Sequence, residues 1–253
     1  MILFFAYSLL AVLFAGCGAI VNQPALEVVE SPSVAGAGAL ARFSVTVHVI
    51  LQEHENPNPE GRAKQDLNKV AVCQANVVEL ASRIAASGVK AVVVEGVYGA
   101  GSLANPEAIT VDEIADTERS KAKWLLAQRS DLTVYGFELK PLNEFGIAVI
   151  GEMGKSVAQA NEIAKQVGSA LGPDDHERYD RFIQEEFTRL NLWYAGVIPE
   201  RSFLALQTAL AVALARSENA VQLVIGKQHW GDLAYAANRH PDVRIRLVPY
   251  SCY

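Results

Sequence analysis

The sequence predicts an α/β fold: a mostly parallel central sheet flanked by helices, with a helical insertion (about 153–217) before the last two strands. Three observations predict it. Short β-branched or apolar runs recur at 44–51, 89–94, 132–137, 221–225 and 243–248. Stretches with helical spacing separate most of them, and alternating strands and helices imply parallel pairing with right-handed crossovers. Between 153 and 217 the pattern is helical throughout, which reads as an insertion or a cap over one end of the sheet.

Taken in order, 44–51 (SVTVHVIL) is β-branched and alternates at first, which makes a strand. A polar loop with two prolines follows, His54-Glu55-Asn56-Pro57-Asn58-Pro59. Residues 63–86 place Leu67, Val70, Val77, Ala81 and Ile84 at helical spacing and stop at Ser87-Gly88. The run 89–94 is apolar except at Lys90, as expected of a strand covered on both faces, and it leads into Glu95-Gly96. A Gly- and Pro-containing loop at 98–106 precedes helical stretches at 111–115 and 119–128. The third strand, 132–137, ends in Glu138. Helices are expected at 153–171 and 174–195, the second with Tyr179, Phe182, Ile183, Phe187 and Leu190 in one stripe. Pro199 suits the first turn of a further helix to residue 216. The strand 221–225 runs into Gly226-Lys227-Gln228-His229, a short helix and the last strand.

Residues 42–253 read as a single α/β domain of about 210 residues, long enough for a full core. The chain is 51% apolar and 20% charged, which excludes a disordered protein. Its net charge of −6 leaves no basic surface for phosphates, so no nucleic-acid partner is expected.

The first 21 residues carry no charged side chain and match the ~20 residues of a membrane-crossing helix. Within them Leu13-Phe14-Ala15-Gly16-Cys17 resembles a bacterial lipoprotein signal. On that reading 1–16 is the signal peptide, Cys17 is the lipidation site and 17–41 is a tether. The domain then sits in the bacterial cell envelope, membrane-anchored and facing the periplasm or exterior. An uncleaved anchor and an ordinary signal peptide are the alternatives. Cys73 and Cys252 remain. Two unrelated free thiols are the favoured reading, and a bridge stapling the tail to the domain is the other.

In an open parallel sheet, ligands sit beyond the carboxyl ends of the strands. The first strand leads into Gln52-Glu53-His54-Glu55, the second into Glu95, the third into Glu138, the fourth into Gly226-x-x-His229. One polar exit means little, since every strand ends in a loop. Several ionisable exits on neighbouring strands make a candidate centre. His54, Glu95 and His229 have the donor types to hold a divalent metal with a position open for water. Alternatively, a carboxylate orients an imidazole that activates water without metal. Glu138 and Glu53 would support either centre, with Glu53 and Glu55 competing for one role. His48, mid-strand, reads as a satisfied core or edge histidine, and His176 and His240 as surface groups. Motifs for dinucleotides, P-loops, serine hydrolases and HExxH peptidases are missing from the sequence.

These residues resemble a known superfamily. His54-Glu55-Asn56-Pro57 resembles the opening motif of the ChaN haem-binding lipoproteins, and Glu95-Gly96 their next strand exit. Gly226-Lys227-Gln228-His229 is similar to the GxxH motif of the TraB and Tiki proteins and, more distantly, of the erythromycin esterases. Order and spacing agree over about residues 43–250. The resemblance implies a hydrolase acting on a peptide or ester bond: metal-dependent in the Tiki branch, base and orienter without metal in the esterase branch. The ChaN branch implies haem binding instead, so a non-catalytic lipoprotein holding haem or another small-molecule or peptide ligand is the alternative function. One position departs from the family: its glutamate two places before the first histidine is Gln52 here, which cannot act as a base, so either Glu53 or Glu55 substitutes or catalysis is lost.

Overall fold

The structure is a computed structural model that describes residues 26–31, 43–55, 62–114, 121–167, 173–240 and 243–253. The expected signal segment with Cys17, most of the tether, Asn56, Pro57 and the His176 side chain lie outside this set.

Six strands make one sheet: β1 (Val29–Glu30), β2 (Ser44–Gln52), β3 (Ala91–Tyr98), β6 (Thr133–Glu138), β7 (Ala220–Gly226) and β8 (Arg244–Ser251). Their order is β1-β8-β2-β7-β3-β6. Every pairing is parallel except that of β1 with β8. The α/β fold with a mostly parallel sheet is therefore observed. Val29–Glu30 falls in the stretch read as tether. Ser31 extends its attachment, exchanging hydrogen bonds of 2.9 and 2.8 Å with Ile245.

The strands are apolar on both faces because helices cover both. One layer holds α4 (Pro173–Ala215) and α5 (Trp230–Asn238), whose Leu206, Ala209, Leu210 and Leu233 pack on Val47, Val49, Val93 and Leu223. The other holds α1 (Leu67–Ala86) and α2 (Lys121–Ala127), whose Val77, Ala81 and Leu126 pack on Ile50, Val92, Val94 and Val224. Each such side chain, buried, contributes about 1.5–3 kcal/mol. Asp66 caps α1, its carboxylate accepting from the Lys69 N–H at 3.1 Å.

Several boundaries differ from expectation. β3 runs through Glu95 to Tyr98, with a register shift against β6 after Val94 and Gly96 at φ +80°. That backbone sits in the left-handed region, which glycine enters without a Cβ clash. The expected loop after it contains a small hairpin, β4 (Ala100–Ser102) with β5 (Asn105–Glu107). The helical block begins earlier, with α3 (Lys140–Val167) starting straight after β6. Pro141 suits that first turn, while Gly146 and Gly151 interrupt the helical pattern of the sequence. Pro199 lies inside α4 instead of opening a helix. A proline removes one N–H from the ladder, and here the helix runs on past it. Gly196–Ala215 is apolar enough to cross a membrane by length and composition, yet half of it is buried in the domain.

Candidate active site

Strand order decides what meets what. β2, β7, β3 and β6 are consecutive neighbours, so their carboxyl ends line up along one edge. Alternation along β3 puts Glu95 on the same face as Ala91 and Val93, the face covered by α4. Within α4, Ser202, Leu206, Ala209 and Ala213 form one buried stripe, and Arg201 precedes Ser202 at its edge. The β7 exit turns through Lys227–His229 into α5 and carries His229 to the same place.

Glu95 is 4% exposed and both its oxygens are occupied. Oε2 accepts from the Gly226 N–H at 2.5 Å, and Oε1 accepts from Arg201 Nη2 at 2.9 Å. Arg201 also grips Glu138, through Nε to Oε2 at 3.1 Å and through Nη2 to Oε1. Glu138 Oε1 accepts in addition from the Gly96 N–H at 3.3 Å. One guanidinium thus bridges two buried carboxylates, a fork matched to the planar acceptor.

His229 is fully buried. Its Nδ1 lies 2.7 Å from Ser202 Oγ, which in turn lies 2.8 Å from the Ile198 carbonyl oxygen. A carbonyl only accepts, so the serine hydroxyl donates to Ile198 and Nδ1–H donates to the serine. His229 Nε2 faces Glu95 Oε1 across 3.4 Å, longer than the 2.7–3.2 Å of a formed bond, and it has no hydrogen-bond partner among the described residues. Burial pushes the Glu95 carboxyl up. His229, Arg201 and, at longer range, His54 outweigh it and hold the group well below the usual carboxylate range.

His54 is half-buried and lies within electrostatic reach of Glu95. Its Nδ1 donates to the Glu55 carbonyl at 3.1 Å, which leaves the lone pair on Nε2. Glu53 points elsewhere. It accepts from Lys227 Nζ and, at 2.7 Å, from the Tyr253 hydroxyl. Burial opposes its ionisation, but these two hydrogen bonds prevail and lower its pKa. Glu55 pairs with Arg62 at 2.6 Å. Gln52, 2% exposed, accepts from Gln74 Nε2 at 3.3 Å, and Gln74 Oε1 accepts from the Ala122 N–H at 3.0 Å. This position belongs to an amide network tying the β2 exit to α1 and α2.

The sheet edge thus gathers Glu95, Glu138 and His229, with His54 within electrostatic reach, and leaves Glu53 in a separate outer clamp. Arg201 and Ser202 escaped the sequence reading because they sit in the helical block, 106 residues from Glu95 in the case of Arg201. A signal did exist: an arginine and a serine at the edge of a stripe that is otherwise Leu, Ala and Val. Lys123 was missed as well. It is 5% exposed and donates to the Gly96 carbonyl at 2.9 Å. His48 matches expectation, its ring 2.9 Å from the Tyr250 hydroxyl of the adjacent β8, and its pKa is lowered by burial and by Arg246. His240 accepts from the Val243 N–H in a turn.

Family models, curated proteins and solved structures all give no match to this chain.

The arrangement leaves no open oxygen on Glu95 for a divalent metal: one is filled by a guanidinium and the other by a backbone N–H, and no metal-ligating group of three occurs among the described residues. A cavity of about 200 Å³ lies beside the outer clamp, between Gln52, Glu53, Lys227, Trp230 and Tyr253.

Proposed function

We propose that this chain is an exported, lipid-anchored hydrolase of the ChaN/TraB/Tiki type, acting on an ester or peptide bond without a metal. The observation that carries the reading is Arg201 bridging Glu95 and Glu138 beside His229, which puts a fixed cation where a metal would otherwise stand. The half-buried His54 is the base. With its proton on Nδ1, its Nε2 takes a proton from water, and the water oxygen attacks the carbonyl carbon. The ionised Glu95 favours the resulting imidazolium, which then protonates the leaving group. Arg201, partly exposed, supplies positive charge to the developing oxyanion. Arg201 keeps Glu95 ionised, and its hydrogen bond together with that of the Gly226 N–H holds the carboxylate in place. The Cys73–Cys252 disulfide, a bond that persists in oxidising compartments, supports the export half of the proposal.

The test is turnover of a panel of activated esters and short peptides by the mature protein in excess chelator, with His54→Ala and Glu95→Gln alongside. Turnover that survives chelation and disappears in both variants is the expected result. Turnover restored only by a divalent cation would overturn the metal-free mechanism. Inert substrates together with a Soret band on hemin titration would move the protein to the binding alternative. Anchoring has its own test: labelled palmitate is incorporated by the wild type and lost in Cys17→Ser.

A further inference from the structure

Residues 252 and 253 are fastened to α1 and to the exit of β2 by several independent contacts. Cys252, 3% exposed, is bonded to the fully buried Cys73 of α1, closing a loop of 179 residues. Its carbonyl accepts from Asn76 Nδ2 at 2.8 Å. The Tyr253 hydroxyl donates to Glu53 Oε2 at 2.7 Å, and Lys69 Nζ lies 4.5 Å over the Tyr253 ring. Cys73 Sγ itself accepts from the Glu53 N–H at 3.1 Å. Glu53 is therefore held through its backbone by one cysteine of the bridge and through its side chain by the residue after the other. The other oxygen of that carboxylate accepts from Lys227, two residues before His229. The next residue along the chain is His54.

We propose that the Cys252–Tyr253 tail is a disulfide-closed strap that positions the His54 loop, and that a dithiol reductant unlatches it. This rests on the reading of His54 as the base. Tyr253, Cys73 and Cys252 are positioning residues: none touches the reacting atoms, and all act through Glu53. Unlatching transfers two electrons and two protons. The reductant's thiolate attacks one sulfur of the bridge, its second thiol closes the reductant's own disulfide, and Cys73 and Cys252 leave as thiols. Both sulfurs are buried, so attack requires the tail to lift first, and the Tyr253–Glu53 hydrogen bond resists lifting.

The test uses the full mature protein and reads no turnover, so it succeeds or fails independently of the hydrolase proposal. Free thiols released by dithiothreitol are counted over time for wild type and Tyr253→Phe. The variant should be reduced about five-fold faster, the equivalent of one ordinary hydrogen bond. Hydrogen exchange then compares oxidised and reduced wild type. Protection should fall at Gln52–Glu55 and stay unchanged at Ala91–Val94, in the middle of the sheet. Equal reduction rates, or equal protection of Gln52–Glu55 in the two redox states, would overturn the strap. Should reduction unfold the domain, exchange in oxidised Tyr253→Phe is the readout, with the same two outcomes.

Discussion

Two clusters of carboxylate and cation stand on the same sheet edge, and they do different work. The inner one, Glu95, Glu138, Arg201 and His229, is sealed under α4: the two glutamate side chains are 5% and 0% exposed, and that of Arg201 15%. The outer one, Glu53, Lys227 and Tyr253, faces solvent, with the Lys227 side chain 53% exposed. Both use a glutamate at a strand exit. Burial separates them. Inside, an ion that loses its partner has no water to turn to, whereas outside water replaces a lost partner at little cost.

The contrast breaks first at Arg201. Arg201→Ala leaves two buried carboxylates uncompensated and should cost about 3–5 kcal/mol in chemical denaturation. A loss below 1 kcal/mol would mean that the carboxylates reach water. Cys252→Ser, which opens a long loop and frees the tail, should cost about 2–5 kcal/mol. A variant as stable as wild type would show that the bridge does not hold the fold. Acid titration sharpens the comparison further. The depressed Glu95 pKa stabilises the fold fully above its ordinary value of 4.5, and that contribution is lost as pH falls through the lower folded value. Glu95→Gln should therefore be less stable than wild type at neutral pH and lose less stability on acidification. Parallel curves would place the acid sensitivity elsewhere. Lys227→Ala should change stability by only ~0–1 kcal/mol, an exposed pair being worth that much.

What the sequence made legible follows from these same physics. Strand exits were readable because a parallel sheet collects them at one edge, and Glu95, Glu138 and His229 do meet there. The depth of the site was not readable. His229 stands beside Lys227, Gln228 and Asp232 in a polar stretch, yet folding buries it completely against Ser202 of α4. A partner reaching in from a helix 27 residues earlier leaves no local signature. The partners of Glu53 are unreadable for a related reason: its carboxylate accepts from Tyr253, 200 residues away. The disulfide overturns the favoured reading of two free thiols, because spacing alone does not fix pairing. The structure puts the two Cα atoms 4.8 Å apart. Pro199 misled in the other direction, since a residue that suits a first turn is also tolerated inside a helix when packing on either side holds it.

The central claim is that Arg201 fills the cation position between Glu95 and Glu138. Elemental analysis of the purified mature protein, for wild type and for the His54→Ala/His229→Ala double variant, tests it most directly. The account predicts far less than one equivalent of divalent metal in both. One equivalent in the wild type, lost in the double variant, would contradict it.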